Sequence, residues 1–389
     1  MNRATGQRGR SPEHAAARAL PVGFAANLPI NFPRVPNWAL PWARILLNSK
    51  LCNLIPPMKL PIHNTAGLAF LAGIALSTPA FAVVTIDYVT VGNSGNAADA
   101  TGFGRVDYAY QIGKYEVTNA QYTEFLNTAD PSGANANGIY NSNMGSNARG
   151  GITFTSGAAS GAKYTIRTSM GNKPVNYVSW YDAARFTNWM HNGQGSGSTE
   201  TGAYTLTGNT GLSTKNVGAT VWLPSENEWY KAAYYDPTLN SNTGGYWAHA
   251  TQSNTAPTVG TANATGDISN PGANVANYAL GADWNSEDGN VTTVGSAGAL
   301  AESYFATADQ AGNVWEWNDA VIGSTRGRRG GSWFFDSSAL PASFRFGTEP
   351  TVELSGVGFR VASVPEPSAL LLVMLSTGAL LIRRRRSPL

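Results

Sequence analysis

The pattern of apolar and polar residues between Val83 and Ser363 predicts many short elements and no long ones. Apolar and polar side chains alternate over residues 83–91, which predicts a first strand, and residues 108–115 predict a second. Three helices are predicted where a serine or threonine precedes an apolar face, because its hydroxyl can accept a hydrogen bond from an unpaired amide of the first turn. The three caps are Thr118 with Gln121, Ser179, and Ser225 with Glu228.

The predicted helices bury aromatic faces and are separated by long polar stretches. Tyr122, Phe125 and Leu126 form the apolar face of the first helix, and Phe186, Trp189 and Met190 form that of the second. Short helices depend on tertiary packing for most of their stability. Residues 130–162 and 192–202 are rich in Gly, Asn and Ser and are predicted to be surface insertions within one domain.

An apolar run near the N-terminus has the features of an export signal. Residues 66–76 are apolar and are followed by Ala80-Phe81-Ala82, which fits the small-x-small rule for signal-peptide cleavage. We therefore interpret residues 58–82 as a signal peptide and Met58 as the true start. Residues 1–57 then result from a start codon placed too far upstream, and we expect them to be disordered.

The C-terminus carries a second apolar run, over residues 369–382, between Pro365-Glu366-Pro367 and Arg383–Arg386. The arginines orient such a segment with its tail inside and the domain outside. This pattern, over residues 364–389, resembles the PEP-CTERM sorting signal. The resemblance implies recognition by an exosortase and transient anchoring in the inner membrane, followed by release to the periplasm, cell surface or extracellular matrix. The alternative is a plain tail anchor.

Charge separates the domain from its ends. Residues 83–363 contain 14 lysine and arginine residues and 22 aspartate and glutamate residues, a formal net charge of −8, whereas the whole chain is +2. An acidic domain argues against nucleic acid as a partner and is compatible with cation binding. The single cysteine, Cys52, precedes the domain, which therefore has no thiol chemistry of its own.

Residues 312–333 concentrate indoles, acids and arginines. Trp315, Trp317 and Trp333 require burial, and the charged side chains between them then require partners. We interpret this stretch as a compact polar core held by a metal ion or by arginine–carboxylate pairs. The alternative is a tryptophan-rich core without a ligand. We expect Arg329, Arg345 and Arg360 to pair with buried carboxylates such as Glu316 or Glu228, and the alternative is an anion pocket.

Six ordered motifs together resemble the formylglycine-generating enzyme family, also called the sulfatase-modifying factor domain. The resemblance covers residues 83–363 and implies a single α+β domain with little regular secondary structure, related to C-type lectins. The motifs lie at 115–122, 174–189, 222–229, 312–317, 329–333 and 358–360.

The resemblance also implies a chemistry that this chain lacks. Enzymes of the family bind copper through two cysteines after the Gly-Gly-Ser motif, and those positions fall on Phe335 and Leu340 here. Neither side chain can bind a metal, so we expect no copper and no sulfatase-activating oxidation. A second branch of the family uses three histidines and iron. Only His191 and His249 lie in the domain, and we expect both to be structural.

Calcium is the cofactor that the resemblance still implies. Asn277, Tyr278, Asp288 and Asn290 resemble one structural calcium site of the family, and Asn313, Val314 and Glu316 resemble the other. Side-chain and carbonyl oxygens are the ligands that this hard cation prefers. The alternative is that these residues cap turns without a metal.

The hypothesis that follows is a non-catalytic, exported binding module whose ligand is an exopolysaccharide or a surface protein. One alternative is an oxidoreductase or another enzyme of the family that uses different residues, with Asp283, Glu287, Glu316 and Asp319 as the available acids. Another is a structural component of the matrix. The sequence does not separate these functions.

Overall fold

The computed structural model describes residues 83–365. Residues 1–57, the predicted signal peptide at 58–82 and the apolar run of the predicted C-terminal sorting signal lie outside these residues. Within residues 83–365, no helix has the length and apolar character needed to cross a bilayer.

The helices of the described region are short, and three of them begin at the caps that the sequence predicts. They are α1 (Asn119–Ala129), α2 (Asn143–Ser146), α3 (Trp180–His191) and α4 (Glu226–Tyr234), with 3-10 turns at Ala299–Ala301 and Ser337–Ala339 and a left-handed turn at Leu239–Asn242. Complete capping boxes at Thr118, Ser179 and Ser225 begin α1, α3 and α4. Each box satisfies amides of the first turn that would otherwise lack a partner. The three predicted helix starts are confirmed.

The strands of residues 83–365 form two four-stranded sheets and three two-stranded ribbons. In chain order they are β1 (Tyr88–Val91), β2 (Tyr110–Gly113), β3 (Ile152–Phe154), β4 (Tyr164–Ile166), β5 (Val221–Trp222), β6 (Tyr235–Asp236), β7 (Gly245–Tyr246), β8 (Thr258–Val259), β9 (Val275–Ala276), β10 (Trp315–Ile322), β11 (Thr325–Arg329), β12 (Phe346–Thr348), β13 (Val357–Phe359) and β14 (Ala362–Ser363). The sheet orders are β1-β2-β14-β5 and β12-β11-β10-β13, and the ribbons are β3-β4, β6-β7 and β8-β9. The predicted mixture of short helices and short strands is confirmed.

The first predicted strand is longer than the observed one. Pairing with β2 begins at Tyr88, five residues after the predicted start at Val83. The preceding backbone is bonded instead to a side chain: the Gln194 amide accepts from the Val84 amide at 2.7 Å and donates to its carbonyl at 2.8 Å. Alternating hydrophobicity therefore extends beyond the strand, because a glutamine replaces the neighbouring strand.

The main hydrophobic core lies between α1 and α3. The rings of Tyr122, Phe125, Phe186 and Trp189 have centroids 5.2 to 6.0 Å apart. The predicted surface insertion at 130–162 also enters this core, which corrects that prediction. Its apolar residues Ile139, Met144 and Ile152 are buried there, although the surrounding Gly and Asn residues form loops.

A close backbone contact fixes the start of β10. Gly312 has a φ of 89°, and the backbone carbonyl of Asn277 occupies the space that a β-carbon at position 312 would need. Only glycine accepts both conditions without strain. This contact brings the loop around Asn277 beside β10, where the residues of the candidate site converge.

Candidate functional site

A buried ion pair holds the centre of the site together. Arg360, which follows β13, donates to both oxygens of Glu316 on β10 at 2.6 Å, and the Trp229 indole donates to the same carboxylate at 2.7 Å. Both charged side chains are fully buried. The other guanidinium hydrogens go to the backbone carbonyls of Gly113, Lys114 and Ala308. The predicted arginine–carboxylate pairing is confirmed here, and every donor of the guanidinium has an acceptor.

The other two predicted arginines also pair with a buried carboxylate, but it is Glu226, which the prediction did not name. Arg329 donates to Glu226 at 2.9 Å, and Arg345 donates to its second oxygen at 2.5 Å. Glu228 instead accepts from the Ser225 amide and the Trp222 indole. The reason is position on α4: Glu228 turns back into the capping box, whereas Glu226, at the first position of the helix, faces the arginines.

Three asparagines converge beside this ion pair, and they come from both predicted calcium sites. The Asn277 amide nitrogen lies 2.9 Å from the Asn290 carbonyl and 3.2 Å from the Asn313 side-chain oxygen. The Asn277 side-chain oxygen is buried and has no hydrogen-bond partner among the described residues. The Asn290 carbonyl and the Asn313 side-chain oxygen therefore both face the Asn277 amide nitrogen, and a hard cation would use them once that amide turned its oxygen towards them.

Glu116 is a member of this cluster that sequence reasoning missed. Its Oε1 accepts from the Asn313 amide at 3.1 Å, and its Oε2 is buried without a partner among residues 83–365. Burial, reinforced by repulsion from Asp309, raises the pKa of Glu116, while Arg360 opposes the shift. In the sequence, Glu116 lies within the 115–122 motif and two residues before the Thr118 cap, and neither position predicts a ligand role.

The other four predicted calcium ligands have different surroundings. The Asp288 side chain is exposed, and its backbone carbonyl accepts from Arg149 at 2.9 Å. The Tyr278 carbonyl closes a turn by accepting from Gly281. Glu316 is occupied by Arg360, so it could bind a cation only if that pair opened. Val314 is fully buried. In the described part of the chain, no group of three or more His, Cys, Asp or Glu residues could hold a metal, so a cation here would depend on amide and carbonyl oxygens.

The acids proposed for general acid–base catalysis are not brought together. Glu287 pairs with Arg149 at 2.6 Å, and Asp319 pairs with Arg326 at 3.0 Å. Burial raises the pKa of Asp319 to about 7, although Arg326 favours its charged form. Glu316 pairs with Arg360, and Asp283 accepts a hydrogen bond from the Gly289 amide. Each of the four acids therefore has a structural partner of its own.

The two histidines are also separate from this cluster. His191 Nδ1 lies 2.8 Å from the Thr220 hydroxyl and accepts from the Thr220 amide at 3.1 Å, which confirms its structural role. His249 is buried, and burial lowers its pKa.

Phe335 and Leu340, at the family's two cysteine positions, have different environments. Leu340 is fully buried beside Trp229 and Tyr234. Phe335 is 45 % exposed and contacts the edge of Trp315, with ring centroids 5.5 Å apart. Hydrocarbon fills the buried position and forms part of the surface at the other.

Phe335 belongs to a cluster of aromatic rings that pack on the buried Trp315. We call it the aromatic face, and it consists of Trp315, Phe335, Phe344 and Phe346. Arg328 lies beneath its rim on β11, directly across from Trp317 and Phe346 on the adjacent strands. Arg328 was missed as a site residue. Side chains alternate along a strand, so Arg328 and Arg329 point to opposite sides, and one carboxylate cannot serve both.

The comparisons with known proteins agree with this architecture. A family model described as a sulfatase-modifying factor enzyme 1-like domain matches residues 85–364. Together with the mixed α/β architecture, this match confirms the predicted α+β fold of the formylglycine-generating and C-type-lectin-like class. No curated protein matches the sequence.

Solved structures with a similar backbone include three of low sequence identity. Treponema denticola variable protein 1 is 18% identical, with 73% of this chain and 97% of that chain covered and a TM-score of 0.42. CarF is 20% identical, with 73% and 100% covered and a TM-score of 0.45. PvdO from Pseudomonas aeruginosa is 14% identical, with 72% and 92% covered and a TM-score of 0.36.

Proposed function

The chain belongs to the family of sulfatase-modifying factor enzyme 1-like domains, and from this we propose that it is an exported, non-catalytic binding module stabilised by calcium. One observation carries the proposal: Phe335 and Leu340 occupy the two positions where the resemblance places copper-binding cysteines. Hydrocarbon side chains have no lone pair for a metal. The single cysteine of the sequence, Cys52, precedes the domain.

The aromatic face is the surface on which this module binds its ligand. Phe335 and Phe346 are about half exposed, and both contact the buried Trp315. Exposed aromatic rings held by a buried scaffold are typical of recognition surfaces, because they supply contact area with little loss of side-chain entropy. The partner of this surface is an exopolysaccharide or a surface protein.

Calcium has a structural role in the proposal. The oxygens of Asn277, Asn290 and Asn313, together with the Glu116 carboxylate, would hold the ion. A bound cation would neutralise Glu116, whose buried Oε2 otherwise has no partner among the described residues. It would also tie the loop around Asn277 to the start of β10.

Export accounts for the two terminal segments. Residues 58–82 direct secretion, and residues 364–389 are recognised by an exosortase after transient anchoring in the inner membrane. The protein then reaches the periplasm, cell surface or extracellular matrix. The charge distribution supports this division, since the acidic domain is flanked by segments that carry the excess of arginine and lysine.

The test uses processed protein purified from cells that express the full chain. We expect binding to host exopolymer in pull-down experiments, and no oxidation of a thiol peptide when copper and oxygen are supplied. Turnover of the thiol peptide would contradict the non-catalytic assignment. Failure to bind either exopolymer or surface proteins would favour a structural matrix component instead.

A further inference from the structure

Arg328 is a buried cation enclosed by aromatic rings. Its side chain is 6 % exposed, and its guanidinium carbon lies 5.6 Å from the ring centroid of Trp315, 5.4 Å from that of Trp317 and 5.5 Å from that of Phe346. The electron-rich faces of aromatic rings attract a cation, with about 0.5–2 kcal/mol per contact. These contacts compensate part of the cost of burying the charge without supplying an acceptor for its hydrogens.

Arg328 differs in this respect from the buried arginines around it. Arg326, Arg329 and Arg360 each have a carboxylate partner, in Asp319, Glu226 and Glu316 respectively. No residue of the described region forms an ion pair with Arg328, and its Nε and one terminal nitrogen are buried without an acceptor. Burial alone lowers the pKa of Arg328 to about 10, so the group remains charged at neutral pH.

A second donor beside Arg328 also lacks an acceptor. The indole nitrogen of Trp315 is buried and has no hydrogen-bond partner among residues 83–365. An unsatisfied buried donor destabilises a fold by about 1–3 kcal/mol. Two such groups on neighbouring side chains, with the guanidinium carbon 5.6 Å from the indole centroid, indicate a place for a ligand that supplies several oxygens and a negative charge.

The rim of this place is aromatic. Phe346 is 48 % exposed and its ring centroid lies 5.5 Å from the guanidinium carbon, and the exposed Phe335 lies on the other side of the adjoining Trp315 ring. A planar ring complements the apolar face of a sugar, and the arginine fork complements a carboxylate or sulfate on that sugar. A peptide is a less suitable ligand, because it would pair with the edge strand β12, which has only three residues.

We propose that Arg328 and the aromatic face bind an acidic saccharide, with the anionic substituent on Arg328 and the sugar ring against Phe335 and Phe346. This assignment rests on the proposed binding-module function and specifies its ligand class. The domain has a net charge of −8, which does not attract polyanions over long distances. Recognition is therefore local and stereospecific, with one anionic group for each site.

Titration calorimetry tests the assignment. It uses the processed protein, purified from cells that express the full chain. The probes are a polyuronate, dextran sulfate, neutral dextran and poly-glutamate. We expect binding of the polyuronate or dextran sulfate and none of neutral dextran, and the stronger of the two acidic ligands identifies the anionic group. Arg328→Met should weaken binding by about tenfold or more, and Arg328→Lys by less, because lysine retains the charge but loses the fork. Phe346→Ala should also weaken binding.

Two controls separate loss of binding from loss of fold. Arg105→Met removes an exposed arginine, 63 % accessible and paired with Asp107, and should bind like the wild type. Arg328→Met removes an unpaired buried charge, so its thermal midpoint should equal or exceed that of the wild type. The unchanged or higher midpoint of Arg328→Met is not expected if Arg328 serves only to stabilise the fold.

Several outcomes would overturn the assignment. They are equal binding of neutral dextran, binding of poly-glutamate alone, or wild-type affinity in Arg328→Met. If that variant also captures host exopolymer as well as the wild type does, the binding-module proposal stands and only the acidic-saccharide assignment fails. Oxidation of a thiol peptide would instead contradict the proposed function, whatever Arg328 does.

Discussion

Glu316 and Arg360 form a fully buried ion pair with two parallel hydrogen bonds of 2.6 Å, in which each partner also has bonds to the surrounding structure. The pair links β10 to the residue after β13, at the point where these strands run parallel. Desolvation makes such a pair a weak source of net stability, but removal of one partner leaves an uncompensated buried charge. Its effect is therefore to specify how the two strands meet.

We predict that Glu316→Gln destabilises the protein by about 3–5 kcal/mol, because Arg360 then remains buried without a counter-charge. Glu316→Leu combined with Arg360→Met should be less destabilising than the single changes together. Chemical denaturation of the wild type, Glu316→Leu, Arg360→Met and the double variant measures this coupling. Asp107→Asn, which breaks the exposed pair with Arg105, is the control and should change stability by less than about 1 kcal/mol. Additive single changes would contradict the coupling.

Gly312→Ala should be among the most destabilising single-methyl substitutions. The added carbon would collide with the backbone carbonyl of Asn277, in a residue whose φ is 89°. Gly323→Ala is the matched control. Its φ is also positive, 62°, but a β-carbon there meets nothing within 4 Å, so only backbone strain of about 1 kcal/mol applies. Thermal unfolding should place Gly312→Ala well below Gly323→Ala, and equal midpoints would show that the contact is not important.

Local chemistry explains which parts of the fold could be predicted from sequence. A capping box needs only four consecutive residues, and those at Thr118, Ser179 and Ser225 all lie where predicted. The choice of Glu226 over Glu228 as the partner of Arg329 depends on how α4 faces the sheet. That orientation is set by tertiary packing, which helix propensity does not contain.

The site was less predictable because its decisive features are missing partners. Arg328 has the same sequence surroundings as its paired neighbours, and only three-dimensional packing shows that no described carboxylate reaches it. Glu116 joins the Asn313 cluster across 197 residues of chain. The resemblance identified the substituted positions Phe335 and Leu340, but the aromatic face around Phe335 required the register of β10, β11 and β12.

Buried carboxyl groups predict that the protein is more stable in mild acid than in mild base. Burial and repulsion from Glu353 raise the pKa of Asp182 to about 8, and burial raises that of Asp309 to about 6. An unfolded aspartate titrates near 3.9. The folded state therefore binds more protons between about pH 4 and 8, and stability falls as pH rises through this window.

Asp182→Asn tests this pH dependence. The amide resembles the protonated acid, so the variant should match the wild type near about pH 5 and exceed it near about pH 8. Thermal midpoints across this range are the measurement, and about 1 kcal/mol corresponds to roughly 2–4 °C in a domain of this size. Asp107→Asn, at an exposed site, should leave the wild-type slope unchanged. A wild-type stability that rises between these two pH values would contradict the assignment.

The calcium proposal predicts a stability that depends on the free ion. Calcium that binds only the folded state raises stability by about 2.7 kcal/mol when its concentration is a hundredfold above the dissociation constant. Chelation should therefore lower the thermal midpoint of the wild type. Asn277→Ala and Glu116→Gln should abolish this difference, because they remove an unpartnered oxygen and the carboxylate that contacts Asn313. Glu287→Gln, which breaks only the pair with Arg149, should retain it. A wild-type midpoint that is the same with calcium and with chelator would mean that the orphaned oxygens of Asn277 and Glu116 are satisfied without the ion.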